Sequence, residues 1–261
     1  MKLNYREEGS GEALIILHGL FGSLDNWQTM ANTLAENFRV FIVDQRNHGR
    51  SPHSDDWSYE AMSKDILELM DDIGLEQAHV LGHSMGGKTA MQLAFRHSKR
   101  LSSLLVVDIA PKKYPLHHDH VLEALYAVDL QHTRSRKEAE EKMTVLKDSA
   151  TRQFLLKNLY WDDADKLAWR FNLEVISKNI GRVGEATLPD KNMDNQLLNK
   201  LPVLFIRGEN SAYIADADME LAKSVFPLAQ LNTIPGAGHW IHADQPLLFA
   251  QTVKKFIEEL P

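Results

Sequence analysis

Short apolar runs alternate with segments of helical spacing along most of this chain, and that rhythm constrains the fold more than any other feature of it. Residues 13–17, 40–43, 78–81 and 104–107 are brief, apolar and rich in branched side chains. Runs of this kind, without polar alternation, mark strands covered on both faces, as in a parallel sheet. Between them, residues 26–36, 59–73 and 85–97 repeat apolar side chains at helical spacing, and Gly74 ends the second. Strand, helix, strand, helix predicts an α/β fold with a mostly parallel central sheet and helices on both faces. After Pro111 the rhythm breaks. Residues 114–197 read as helical, richer in charge and aromatics, with no strand, and are expected to form an inserted lid. The alternation resumes with a strand at 201–207, a helix at 215–226, a strand at 229–234 and a helix at 246–260 whose Pro246 suits a first turn. The expected division is a core made of 1–113 and 198–261 with the helical insertion 114–197 between its halves.

In open α/β sheets the ligand crevice lies outside the carboxyl ends of the strands, so strand ends are where chemistry is sought. One of them reads Gly82-His83-Ser84-Met85-Gly86, a Gly-x-Ser-x-Gly pentapeptide between an apolar run and a helix. A serine at such a turn has its hydroxyl pushed out of the fold, and the glycines remove Cβ atoms that would clash. The helix that follows offers free N–H groups and a positive dipole end, both of which favour an oxyanion. Ser84 is therefore the candidate nucleophile. After the first run comes His18-Gly19-Leu20-Phe21-Gly22, where the backbone N–H of Leu20, with that of Met85, supplies the candidate oxyanion hole. The His18 side chain is expected to be structural.

If the chain order is that of folds with a serine at such a strand-to-helix turn, the general base is a histidine lying after Ser84. Among twelve histidines, His239 in Gly236-Ala237-Gly238-His239-Trp240 follows the last strand and is preferred over the nearby His242. The acid is less obvious. After the 201–207 strand the chain reads Gly208-Glu209-Asn210-Ser211, with a serine where a carboxylate is usual, and a serine cannot stay ionised. The other strand-end carboxylate, Asp108, is assigned as the group that orients the base, with Glu209 and Asp216 in reserve. Asp44, Arg46 and His48 are expected to brace the loop beside the site. Phe21, Trp161, Trp169 and Trp240 are assigned to substrate contact, although the lid aromatics Tyr160, Trp161, Trp169 and Phe171 serve equally well as packing between lid and core. His117, His118 and His120 lack a metal-ligand pattern and read as a solvated segment; residues 134–142 read as an exposed helix face.

Composition removes whole classes of function. With no cysteine, disulfides, thiolate catalysis and Cys-ligated zinc are excluded. A formal charge of −7 opposes non-specific nucleic-acid binding. The early residues contain no apolar signal core and no later run approaches a membrane span, so a cytoplasmic protein without a membrane partner is expected, as a monomer or homodimer.

The segments His18-Gly-Leu-Phe-Gly-Ser-Leu-Asp-Asn26, Asp44-Gln-Arg-Asn-His-Gly-Arg-Ser51, Gly82-His-Ser-Met-Gly-Gly-Lys88, Asp108-Ile-Ala-Pro111, Gly208-Glu-Asn-Ser211 and Gly236-Ala-Gly-His-Trp-Ile-His-Ala243 together resemble the α/β-hydrolases, and within them the YbfF-type esterases and their mitochondrial relatives. In the lid the resemblance rests on Phe154-Leu-Leu-Lys-Asn158 and Trp169-Arg-Phe-Asn172. It implies a serine nucleophile, a histidine base and an acid on the earlier strand, favouring Asp108 over Glu209. The implied activity is hydrolysis of a small-molecule carboxylic ester or acyl thioester through an acyl-enzyme, with no metal or organic cofactor. The alternative is a ligand-binding or signalling protein that keeps the fold with weak turnover. Dehalogenase or epoxide-hydrolase chemistry needs a carboxylate nucleophile, which Ser84 does not provide.

Overall fold

The computed structural model describes residues 1–116, 118–190 and 197–260. In chain order its strands are β1 (Tyr5–Gly9), β2 (Ala13–Leu17), β3 (Arg39–Val43), β4 (Ala78–His83), β5 (Leu101–Val107), β6 (Leu159–Trp161), β7 (Leu167–Trp169), β8 (Val203–Gly208) and β9 (Ala229–Ile234). Its α-helices are α1 (Gln28–Leu34), α2 (Tyr59–Asp72), α3 (Met85–His97), α4 (Asp119–Tyr126), α5 (Arg136–Lys142), α6 (Ser149–Leu156), α7 (Leu173–Lys178), α8 (Asp218–Val225), α9 (Ile241–Asp244) and α10 (Pro246–Glu258). The helix expected at 26–36 divides into a 3-10 turn, Leu24–Trp27, and α1.

Seven strands form one sheet in the order β1-β3-β2-β4-β5-β8-β9, parallel except for β1. Because side chains alternate across a strand, each apolar strand feeds two layers at once. Ile15, Leu17, Phe41, Val43, Val80 and Val106 pack on one face with Ile66 and Met70 of α2 and Met91 of α3. Leu14, Ile16, Val40, Ile42, Leu81 and Val107 pack on the other with Met30 of α1 and Phe249 and Val253 of α10. The antiparallel edge strand β1 escaped the sequence reading because Tyr5-Arg6-Glu7-Glu8-Gly9 is mostly polar. Its register, Tyr5 opposite Val43 and Gly9 opposite Arg39, comes from the partner strand, with Arg39 Nε donating to Glu7 at 2.6 Å.

The chain runs from β2 outward to β3, then returns to β4 on the other side of β2 and continues to β9. The direction of winding thus reverses between β2 and β4, the switch point where parallel sheets hold ligands. His18 follows β2 and Ser84 follows β4, so both loops open at that crevice.

The segment between β5 and β8 is not wholly helical as expected. Besides α4 to α7 it holds an antiparallel hairpin, β6 with β7, with Leu159 opposite Trp169. Three residues per strand are too few to show a period of two in the sequence. The segment has its own apolar cluster, including Leu125, Met143, Leu155, Leu156, Trp169 and Phe171, which continues into Phe21, Trp57, Met62 and Met85 beneath it. In α5 the charges face outward and Ala139 alone is buried.

Candidate active site

Ser84 sits between β4 and α3 with φ 53° and ψ −116°, a left-handed conformation that a side chain adopts only when its surroundings enforce it. The enforcement is steric and bonded. A Cβ on Gly82 would lie 2.2 Å from the Gly86 carbonyl oxygen, and one on Gly86 would lie 2.4 Å from that of Leu17. The Ser84 N–H donates to Val107 O at 2.9 Å, while its own carbonyl accepts from Gly87 N at 2.9 Å and Lys88 N at 3.2 Å. Met85 then begins α3, where first-turn N–H groups have no intrahelical acceptor.

His239 reaches the same crevice from the loop after β9. Its Nδ1 lies 2.7 Å from Oδ2 of Asp108, which follows β5 with φ 51° and is fully buried. A carboxylate only accepts, so Nδ1 carries a proton, and in the neutral ring the lone pair lies on Nε2. The Ser211 hydroxyl donates to the same Oδ2, and Gly208 N approaches Oδ1 at 3.4 Å. Ser211, where the sequence led one to look for a carboxylate, therefore hydrogen-bonds to the candidate acid Asp108. Glu209 instead accepts from Gly236 N at 2.8 Å and bonds the loop rather than the imidazole. Tyr213 stacks on His239 with ring centroids 4.1 Å apart and planes at 21°. His83 holds the His239 backbone: its Nε2 lies 2.9 Å from the His239 carbonyl oxygen, which requires Nε2 to be the donor, and burial keeps its pKa well below 6.5. Tyr213, His83 and Ser211 were not found as site residues by sequence reasoning, since only the fold brings them to His239.

His242, the competing base, stacks on Trp27 at 4.0 Å, and burial lowers its pKa to about 3. His18 is structural as expected: Gln45 N donates to its Nε2 at 3.0 Å, so Nδ1 donates to Gly19 O at 2.8 Å, and burial lowers its pKa to about 4. Asp44, Arg46 and His48 do brace the neighbouring loop. Arg46 forks onto Asp65 at 2.6 and 2.9 Å, Asp44 accepts from Leu24 N at 2.7 Å, and His48 Nε2 accepts from Phe21 N at 3.2 Å.

A cleft of about 470 Å³ opens over these groups, lined by Leu20, Phe21, Ser84 and His239 from the core and by Phe154 and Leu155 from the insertion. Trp240 is also in its wall, with its ring 5.3 Å from Phe154. Trp161 and Trp169, assigned to substrate contact from the sequence, are not. Trp161 is 49% exposed on β6, and Trp169 is buried, stacked on Phe171 at 5.4 Å. Aromatic content alone does not distinguish a wall of the cleft from the packing behind it. Of the three histidines near 117–120, His118 lines the cleft, His120 is exposed and His117 lies outside the described residues. Among the described residues no cluster of His, Asp or Glu is arranged to hold a metal ion, and no helix is long and apolar enough to cross a membrane.

A family model described as the alpha/beta hydrolase fold matches residues 12–246. The chain belongs to the α/β-hydrolase family. This α/β-hydrolase is 38% identical to the sn-1-specific diacylglycerol lipase ABHD11 of Mus musculus, over 94% of this chain and 80% of that protein. It is 34% identical to esterase YbfF of Escherichia coli K12, over 99% of this chain and all of the other. A solved structure titled marine microorganism esterase is 43% identical and superimposes with a TM-score of 0.92, covering 98% of this chain and 99% of that one. The protein is a hydrolase, with relatives named esterase and lipase.

Proposed function

We propose that this α/β-hydrolase is a serine hydrolase that cleaves carboxylic esters, and acyl thioesters by the same route, through an acyl-enzyme on Ser84. The observation that carries the reading is the 2.7 Å contact between Asp108 Oδ2 and His239 Nδ1 beside a cleft that His239 and Ser84 both line. With Nδ1–H engaged by Asp108, the free Nε2 takes the Ser84 proton as Oγ attacks the acyl carbonyl. The developing oxyanion rests on the Leu20 and Met85 N–H groups. Collapse expels the alcohol or thiol, which receives its proton from His239. Water then attacks the acyl-serine with His239 again as base, releasing the acid and restoring the hydroxyl.

Residues 114–197 act as the lid in this reading. Their contribution of Phe154 and Leu155 to the cleft gives the acyl chain an apolar wall shared with Leu20 and Trp240. The names of the mouse and E. coli relatives, a diacylglycerol lipase and an esterase, support an ester as the bond cleaved. A panel of esters and CoA thioesters of graded acyl length tests the proposal. Turnover is expected to fall at least about a thousandfold in Ser84→Ala. Undiminished turnover in that variant contradicts it.

A further inference from the structure

The lid segments Phe154-Leu-Leu-Lys-Asn158 and Trp169-Arg-Phe-Asn172 contain two asparagines that bond to the core rather than to substrate, and they do so at different places. Asn158, 2% exposed, directs its amide Nδ2 to Phe21 O at 2.8 Å and to Leu155 O at 3.3 Å. Two carbonyl oxygens face that end of the amide, so only the NH2 end fits there. Asn172 bonds instead to Asn47, through its N–H to the Asn47 carbonyl at 2.8 Å and through Nδ2 to Oδ1 at 3.3 Å.

Phe21 is the residue that most needs holding. It is the third residue of the tight turn closed by Gly22 N to Gly19 O at 3.0 Å, and its φ is 55°, a conformation usually left to glycine. Its N–H donates to His48 Nε2 at 3.2 Å. His48 can accept there because its Nδ1 faces the Arg46 carbonyl at 2.9 Å and must donate to it, and burial keeps the ring neutral. The N–H of Phe21 is thus bound by His48 and that of Gly22 closes the turn, while Leu20, just before Phe21, lines the cleft beside Ser84.

We propose that Asn158 is a positioning residue for ester hydrolysis: from the lid, it clamps the Phe21 carbonyl while His48 holds the Phe21 N–H, and so fixes the Leu20 N–H as an oxyanion donor. This rests on the reading of Ser84 as nucleophile and Leu20 as donor. The lid then does more than cover the cleft, because its α6–β6 junction forms part of the scaffold of the oxyanion hole. A misdirected donor stabilises the tetrahedral oxyanion less and leaves ground-state binding nearly untouched.

The test compares Asn158→Leu, close in shape but without a donor, and the milder Asn158→Ser with Asn172→Ala, which removes the other asparagine's side-chain bond from lid to core, away from the oxyanion turn, and keeps its backbone bond to Asn47. On a chromogenic short-chain ester, both Asn158 variants are expected to lose about ten- to a hundredfold in kcat with KM within about threefold. Affinity for an alkylboronic acid, whose tetrahedral adduct mimics the oxyanion, is expected to fall by a similar factor. Asn172→Ala lowers the melting temperature and keeps kcat within about twofold. The proposal is overturned if the Asn158 variants keep wild-type kcat, if Asn172→Ala loses as much, if KM rises in place of the fall in kcat, or if neither Asn158 variant folds, which marks the residue as structural. Ser84→Ala in the same assay separates the two readings. Full activity there removes the serine mechanism, whereas an inactive Ser84→Ala beside unaffected Asn158 variants removes the clamp alone.

Discussion

Replacing Asp108 by asparagine probes how the proposed base, His239, is held, and the contacts of its two oxygens set the expected magnitude. Oδ2 accepts from both His239 Nδ1 and the Ser211 hydroxyl, whereas among the described residues Oδ1 has only the long 3.4 Å approach of Gly208 N. An asparagine therefore turns its oxygen toward His239 and Ser211 and its NH2 toward Gly208. The imidazole keeps its orientation and tautomer, and what disappears is the negative charge opposite the imidazolium that forms in the transition state. For charge centres roughly 4 Å apart at an effective dielectric near 20, that attraction is about 4 kcal/mol. At about 1.36 kcal/mol per decade this corresponds to roughly a thousandfold in rate. The assay is kcat on a chromogenic short-chain ester for Asp108→Asn beside Glu209→Gln, with melting temperatures to establish folding. A loss of about 10³ for the first and less than about threefold for the second is expected. The reasoning is refuted if Asp108→Asn stays within about threefold of wild type, or if Glu209→Gln is the more damaged.

Two further outcomes follow from burial and from the shape of the cleft. Because burial lowers the His18 pKa from 6.5 to about 4, the unfolded chain binds a proton below pH 6.5 that the folded chain refuses. Stability therefore falls as pH drops through that window, by about 1.4 kcal/mol per unit for this one group. Urea unfolding at pH 7 and pH 5 should show about 2 kcal/mol less acid loss in His18→Gln than in wild type, and equal slopes would contradict the assignment. Trp240→Ala should lower kcat/KM more for longer acyl chains than for acetate esters, since each methylene kept from water contributes about 0.8 kcal/mol. Trp161→Ala, outside the cleft wall, should leave the chain-length profile unchanged; a shift there would return Trp161 to the substrate site.

How much of this was legible in the sequence depends on where the information lies. Strands β2 to β5 and β8 were readable because they are largely buried on both faces and carry apolar runs, whereas the edge strand β9, with Gln230, Asn232 and Thr233 exposed, was placed by the alternation that resumes after residue 200. Strand β1 was not, since its charged residues carry no burial signal and its pairing is dictated by β3. Ser84, His239 and Asp108 could be nominated because each follows a strand in a recognisable loop, and the 2.7 Å bond brings the last two together. Ser211 was noticed in the sequence only as a missing carboxylate; its hydroxyl contact with Asp108 exists only once β5 and β8 are adjacent. The Asn158 bond to Phe21 joins residues 137 positions apart, and no local pattern could announce it. Trp161 and Trp169 were nominated as lid aromatics, with packing an equal alternative, and neither lies in the wall of the cleft, because aromatic content carries no information on which side of the lid a ring occupies.

The central claim is that turnover passes through an acyl group on Ser84. Mixing the protein with excess activated ester, quenching in acid during turnover and mapping the adduct tests it most directly. Expected are an adduct with the mass of the acyl group on the peptide containing Ser84, a burst of leaving group approaching one equivalent per chain, and neither in Ser84→Ala. Steady hydrolysis with no acylated Ser84, or with the acyl group on another residue, would contradict it.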